Sequence, residues 1–335
     1  MSQSSDRDFS LDILRVLSCI MVLGVHLGQH VTIPGAFGVF FEKGSTGVGF
    51  FFILSGYLAC ISLERLHAKY NSQKAVVLVF WIKKLIRILP LYYIVIIFYV
   101  LFFNLMGNVP EDNTGLYWIR YFLFANAFIK SDNMFWNNLG AVWSISCFVF
   151  FYLICPFCYN VIRKYWTSWI SVIASYGVLK YIDSKEIYNL PLRWIFYFFL
   201  GMLIYRAYKD HKEKFTLGVL LLLSLFCILT ENGITIVASL LAATFILATR
   251  NLNSDESFKF GKRVIQYISM ISYSIYLIHP AVIVVLDRTS DLQGIAYGVA
   301  MIGCTIIFSI ISYYLIEKKL GDLLMKGFKK VWNIE

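Results

Sequence analysis

Long apolar runs separated by short polar loops dominate this chain. Runs near 9–31, 46–64, 84–106, 141–162, 166–182, 193–208, 216–230, 233–249, 265–286 and 294–316 stand out. Most approach the roughly 20 residues that a helix needs to cross the hydrocarbon of a bilayer. The pattern predicts an all-α polytopic membrane protein with about ten transmembrane helices. A shorter apolar piece, 116–129, either crosses fully or forms a short re-entrant or interfacial segment.

The distribution of basic residues decides between the two. With the N-terminus inside and 116–129 not crossing, most of the 30 lysines and arginines fall on the inner side. They include Arg65, Lys69, Lys74, Lys83, Lys84 and Arg87, then Arg163 and Lys164, then Arg206, Lys209, Lys212 and Lys214. Arg250, Lys259, Lys262 and Arg263 follow, and the tail from Lys318 to Lys330 completes the set. The outer loops are short and hold Glu111, Asp112, Glu186, Glu231 and Asp291. A full crossing at 116–129 would send every later basic loop outside. The expectation is therefore a non-crossing segment and two cytoplasmic termini.

Composition agrees. Of the 335 residues, 59% are hydrophobic and only 15% charged, where a soluble domain carries about a quarter charged. The net charge of +10 is mostly loop charge that sets orientation, not a nucleic-acid footprint. Asp12 and Arg15 interrupt the first apolar run, so it is expected to stay as an anchor, not to be cleaved as a signal peptide. The seven cysteines lie mostly within the runs, and no disulfide framework is expected. Cys155-Pro-Phe-Cys158 has redox spacing but sits in a membrane helix. No soluble appendage is apparent, and residues 1–335 read as one domain with its core near 10–320.

The first run carries the most informative chemistry. Arg15 and His26 are separated by ten residues. Eleven helical steps of about 100° return to within roughly 20° of the start and rise about 16 Å. Both side chains share one helix face at different depths. Ionisable residues inside a spanning helix are costly and mark a functional site by default. A neutral histidine suits removal of a proton from a hydroxyl near pH 7; a histidine hydrogen-bonded between helices is the structural alternative. Gly24 and Gly28 flank His26 and admit a second helix or a ligand close to the backbone. His30 follows at i+4 without the glutamate of an H-E-x-x-H site, so no metal is expected. Arg15 needs an anion: either Asp12, three residues earlier, or a ligand phosphate, which the planar guanidinium suits.

The second run opens Gly47-Val-Gly49 and reaches Ser55-Gly56-Tyr57. Its glycines predict close helix contacts, and Ser55-Gly56 a kink. No strand precedes Gly47-Val-Gly49, so it is no nucleotide fingerprint. The third begins Lys83-Lys84-Leu-Ile-Arg87-Ile-Leu-Pro90-Leu-Tyr92-Tyr93. Lys84 and Arg87 face one way at the cytoplasmic boundary. They either anchor lipid headgroups or clamp a phosphorylated ligand on the side of Arg15. Trp143-Ser144-Ile-Ser146, Tyr152 and Pro156 come later, and Ser272 to Pro280 places His279 just before a helix-kinking proline. Ser312-Tyr313-Tyr314-Leu-Ile-Glu317-Lys318 closes the last run. Arg120 and Arg193 fall outside, as interfacial anchors or as contacts for an anionic acceptor.

Taken in order, these segments resemble the acyltransferase-3 family of integral-membrane acyltransferases. Asp12-Ile-Leu-Arg15 followed by His26 matches its most diagnostic element. Gly47 to Leu58, Arg87-Ile-Leu-Pro90, Phe124-Ala-Asn126, Tyr273 to Pro280 and Tyr314 to Lys318 also fit. Four positions depart from the usual pattern. Gly49 replaces an acid, Lys84 an arginine, Phe148 a glutamate and Lys319 a proline.

The resemblance implies transfer of an acyl group, usually acetyl, from cytosolic acetyl-CoA to a hydroxyl of an extracytoplasmic or lipid-linked glycan. In a bacterial inner membrane the acceptor is then often a sugar of lipopolysaccharide O-antigen, exopolysaccharide or peptidoglycan. It implies His26 as general base, or as the carrier of a covalent acyl group, with Asp12 orienting Arg15. Arg15, Lys83, Lys84 and Arg87 would meet the donor's phosphates, and Ser55, Tyr57, Trp143 and His279 the acceptor. The rival is a transporter or flippase using Arg15, His26 and His279 as a path. Internal repeats would support it, and no clear halves are apparent. A non-catalytic scaffold leaves the stacked ionisable residues unexplained.

Overall fold

The computed structural model describes residues 8–106, 115–128, 141–185, 190–230, 233–249 and 259–332. Among these residues thirteen α-helices follow in order: α1 (Phe9–Gly28), α2 (Gly35–Glu42), α3 (Thr46–Lys69), α4 (Gln73–Leu105), α5 (Gly115–Phe122), α6 (Val142–Val161), α7 (Tyr165–Asp183), α8 (Pro191–Lys209), α9 (Glu213–Leu229), α10 (Ile234–Thr249), α11 (Lys259–Thr289), α12 (Gly294–Ser312) and α13 (Gly321–Trp332). No strand occurs among the described residues. Every one of the ten expected runs is occupied by a helix. Among the described residues, six helical stretches are long and apolar enough to cross a membrane: Phe9–Gly28, Thr46–Lys69, Gln73–Leu105, Val142–Val161, Phe260–Thr289 and Gly294–Lys330. The architecture is that of a polytopic membrane protein.

Several boundaries differ from expectation. α4 begins at Gln73, eleven residues before the expected span, because Ala75 to Phe80 is itself apolar and a helix need not stop where hydrocarbon does. α12 does not end near 316. It passes into a π-helical segment, Tyr313–Leu320, and on into α13. The piece at 116–129 forms α5 and a 3-10 turn, Ala125–Phe128, joined at Phe124. Each piece rises far less than the roughly 30 Å of hydrocarbon. Glu111, Asp112, Glu186, Glu231 and Arg250 lie outside the described residues.

The chain divides into two compact units. The first comprises Met1–Ile61, Tyr159–Gly177 and Trp194–Ser272. Asp8 caps α1 by accepting the Ser10 N–H at 3.1 Å, and the Ser10 hydroxyl ties α1 to the Thr249 carbonyl of α10 at 3.0 Å. Two glycines let α3 and α8 touch backbone to backbone. A Cβ on Gly56 would lie 2.1 Å from the Phe198 carbonyl oxygen, and one on Gly201 2.0 Å from that of Ile53. α3 runs as one helix through Ser55-Gly56, where Gly56 serves close approach. Phe52 packs between Trp194 and Phe198 at this crossing.

The second unit comprises Ser62–Cys158, Val178–Arg193 and Tyr273–Glu335. The Tyr92 and Tyr93 hydroxyls of α4 donate to the Tyr121 and Phe122 carbonyls at 2.7 and 3.2 Å. Two residues past Phe122, Phe124 adopts φ 58°, a left-handed conformation costly for a bulky side chain. Its ring is held by Tyr92 and Tyr93 at centroid distances of 4.7 and 6.0 Å. The Ser146 hydroxyl of α6 donates to Asn126 at 2.6 Å. The segment after α4 is thereby fastened to α4 and α6.

Candidate active site

Within the first unit, α1 carries Asp12, Arg15 and His26 on one unbroken helix. Asp12 is 1% exposed, and a carboxylate so buried needs partners. Arg15 Nη1 donates to Asp12 Oδ1 at 3.2 Å and to Ser269 Oγ of α11 at 2.7 Å. Ser269 in turn donates to Asp12 Oδ1 at 2.6 Å. One hydroxyl thus accepts from the cation and donates to the anion, closing a ring of three hydrogen bonds. The local Asp12–Arg15 pair forms as its spacing suggested, but Ser269 belongs to no motif and sequence reasoning missed it.

His26 is half-buried near the end of α1, with Nδ1 3.3 Å from Gln29 Oε1. Gln29 is a second residue the sequence reading passed over. The Phe41 ring of α2 covers Gly24, where an added Cβ would fall 1.9 Å from it, whereas Gly28 has nothing within 4 Å. An aromatic ring therefore closes the helix surface at Gly24, while that at Gly28 stays open. Ser55 is half-buried on α3, while Tyr57 is fully buried against the Tyr205 edge at 6.1 Å, a packing position.

In the second unit, Lys83, Lys84 and Arg87 lie within the body of α4. Lys83 and Arg87 are exposed. The half-buried Lys84 holds its ammonium 4.7 Å from the Tyr152 ring centroid and 5.5 Å from that of Phe80. Tyr152 stacks on Phe148, and its carbonyl accepts from Trp81 Nε1 at 3.1 Å. Phe148, the position where relatives of this pattern were expected to carry an acid, thus backs the ring beneath Lys84. Trp143 is half-buried on α6. Next to it, Ser144 and Tyr276 of α11 share a hydrogen bond of 2.8 Å, and Tyr276 meets the His279 ring at 5.9 Å. His279 is fully buried with Nδ1 3.1 Å from the Ile275 carbonyl. α6 and α11 therefore bring Trp143 and His279 to one region of this unit. Arg193, expected at the outer boundary, is paired with Asp183 at 2.5 Å.

The first unit thus offers an imidazole and a tethered guanidinium, the second a group of cations and a buried histidine beside two hydroxyls. Such groups can move a proton and hold phosphates. Comparison with known proteins adds a direct identification. A family model described as an acyltransferase domain matches residues 8–314. The chain is also 24% identical over 368 aligned positions to "Peptidoglycan O-acetyltransferase OatA" of Listeria monocytogenes. That alignment covers 96% of this chain and 57% of the relative, so the chain spans little more than half the relative's length. No solved structure matches. A match of this extent, which begins at the N-terminus of α1 and reaches into the π-helical segment, means that the chain belongs to the acyltransferase-3 family.

Proposed function

We propose that this protein transfers an acyl group, acetyl in the simplest case, from acetyl-CoA to a hydroxyl of a cell-envelope glycan. It does so as an integral protein of the bacterial cytoplasmic membrane, with both termini in the cytosol. The observation that carries this reading is the placing of Asp12, Arg15 and His26 on one apolar helix of an acyltransferase-family chain. A relative named for O-acetylation of peptidoglycan supports acetyl as the group and a glycan as the acceptor. It favours a cell-wall glycan over lipopolysaccharide O-antigen.

In this reading His26 removes the acceptor's hydroxyl proton while the oxygen attacks the thioester carbonyl. The C–S bond breaks, and the departing thiolate recovers the proton from the imidazolium. With Nδ1 donating to Gln29, Nε2 carries the lone pair for that step. Arg15 in the first unit, and Lys83, Lys84 and Arg87 in the second, are assigned to the donor's phosphates, which suit both the guanidinium fork and the ammonium point charge. Ser55 in the first unit, and Trp143 and His279 in the second, are assigned to the acceptor, as is Tyr57, which packs against Tyr205.

The test is release of free CoA thiol by purified protein given labelled acetyl-CoA with peptidoglycan fragments or O-antigen polysaccharide. Wild-type protein should release CoA and label one glycan, and His26→Ala should be slower by about 10²-fold or more. An active His26→Ala protein would overturn the general-base role. Absence of saturable acetyl-CoA binding would overturn the enzyme and leave the transporter.

A further inference from the structure

α12 spans the bilayer before the chain reaches α13. Its 19 residues rise about 28 Å, close to the roughly 30 Å of hydrocarbon. The π-helical segment Tyr313–Leu320 comes next and is fastened to α11. Ser274 donates to the Glu317 carboxylate, and its Oγ lies 3.3 Å from that of Ser312. Five α-helical steps would set Ser312 and Glu317 about 140° apart. A π-helix closes its hydrogen bonds at i+5 and brings such a pair to one side. α13 therefore starts at the membrane boundary, from a tethered segment. Its first residue, Gly321, sits beside α4, where an added Cβ would lie 4.0 Å from the Ile86 side chain.

From that point α13 sorts its residues by kind. Leu324, Phe328 and Trp332 recur every four residues and form one stripe along the helix. The Phe328 and Trp332 rings pair at a centroid distance of 5.9 Å. Lys326 and Lys330 each stand two residues past a stripe position, about 160° round the helix, and Lys329 stands at its flank. All three lysines are exposed. Protein covers the stripe only in part: Phe328 is half-buried, whereas Leu324 is 43% and Trp332 55% exposed. From Lys318 to Lys330 the chain carries five lysines and a single acid, Asp322.

An apolar stripe left open at a membrane boundary, with lysines behind it, complements negatively charged headgroups above acyl chains. We propose that α13 is a docking helix for anionic phospholipid. Leu324, Phe328 and Trp332 enter the boundary between headgroups and acyl chains. Lys326, Lys329 and Lys330 reach lipid phosphates on their long stems. In the orientation proposed above this is the cytoplasmic leaflet. The docking itself stands whichever reaction the protein catalyses. The rival source of the same phosphate chemistry is the soluble donor, CoA.

The test follows amide hydrogen exchange in the full-length protein, held in nanodiscs of phosphatidylcholine with or without phosphatidylglycerol. Amides of 321–332 should exchange about tenfold more slowly in the anionic discs, because each lysine near an anionic surface adds several-fold. Those of α6 should exchange alike in both. Salt at about 0.5 M should remove most of the difference. Lys326→Gln/Lys329→Gln/Lys330→Gln should remove it at low salt with the helix kept, and Trp332→Ser should speed exchange in both discs. Equal exchange in the two discs, or a difference that survives the triple substitution, overturns the inference. Protection of 321–332 by CoA in neutral discs also overturns it, since the lysines would then belong to the acyl donor. The salt comparison needs no variant and carries the test if the triple variant does not fold.

Discussion

Arg15 and Lys84 are both cations on long apolar helices, and the two units hold them by different physics. Arg15 is bound by a buried carboxylate and by a hydroxyl that itself binds that carboxylate. Each bond in that ring has a direction, and the acid and the serine are almost wholly buried. Lys84 lies over the faces of two aromatic rings, an attraction broad in angle and without formal charge on the partner. Arg15 is therefore fixed in place, and removing any member of its ring strands a buried polar group. Lys84 is guided, and an incoming anion can draw it without breaking an ion pair with either ring. A rigid cation suits alignment near the chemistry; a guided one suits capture of a phosphate.

The largest effect should come from the carboxylate of the rigid ring. Asp12→Ala leaves Arg15 with Ser269 and removes the charge that makes its burial tolerable. Breaking a buried pair at one partner costs about 3–5 kcal/mol. The expected outcome is a transfer rate lower by at least about 10²-fold and a clear fall in thermal midpoint, measured by CoA release and by melting in detergent. Lys84→Met, measured beside it, should lower the rate far less and leave the midpoint unchanged. Equal losses in the two variants would erase the distinction between the two sites.

Ser269→Ala is the finer probe of the same ring. It deletes one donor to Asp12 and one acceptor for Arg15 while keeping both charges. Losing a buried hydrogen-bonding partner costs about 1–3 kcal/mol, so a drop of about tenfold in rate is expected. Ser269→Thr retains the hydroxyl and should recover most of it. If alanine and threonine behave alike, the hydroxyl does not hold Arg15, and the pair with Asp12 suffices.

What could be read from the residues follows from what helical periodicity encodes. Asp12 and Arg15 are three apart on one α-helix, so their pairing was visible before any coordinate. The ten apolar runs were visible for the same reason, since hydropathy reports burial in lipid or protein alike. Ser269 was not, because its partners are more than 250 positions away and a serine in an apolar run carries no period of its own. The contact between Ser274 and Glu317 was hidden for a different reason. It depends on a departure from the α-helix that no hydropathy pattern announces. Phe148 was noticed as a substitution for an acid, yet its use, to back the ring under Lys84, became clear only with α4 and α6 side by side.

The smallest expected effect tests the guided cation. Tyr152→Leu removes the nearer ring face and leaves the Trp81 contact in place, since that bond is to the Tyr152 backbone carbonyl. A partly exposed cation–π contact is worth about 0.5–1 kcal/mol. The KM for acetyl-CoA should therefore rise about threefold, as the ammonium spends less time in the orientation that meets the donor. Tyr152→Phe keeps the face and should match wild type. The direction of the shift is the informative part. A fall in KM on Tyr152→Leu would mean that the ring competes with the donor for Lys84 instead of presenting it. The two cations would then differ in more than stiffness: one held ready, the other held back.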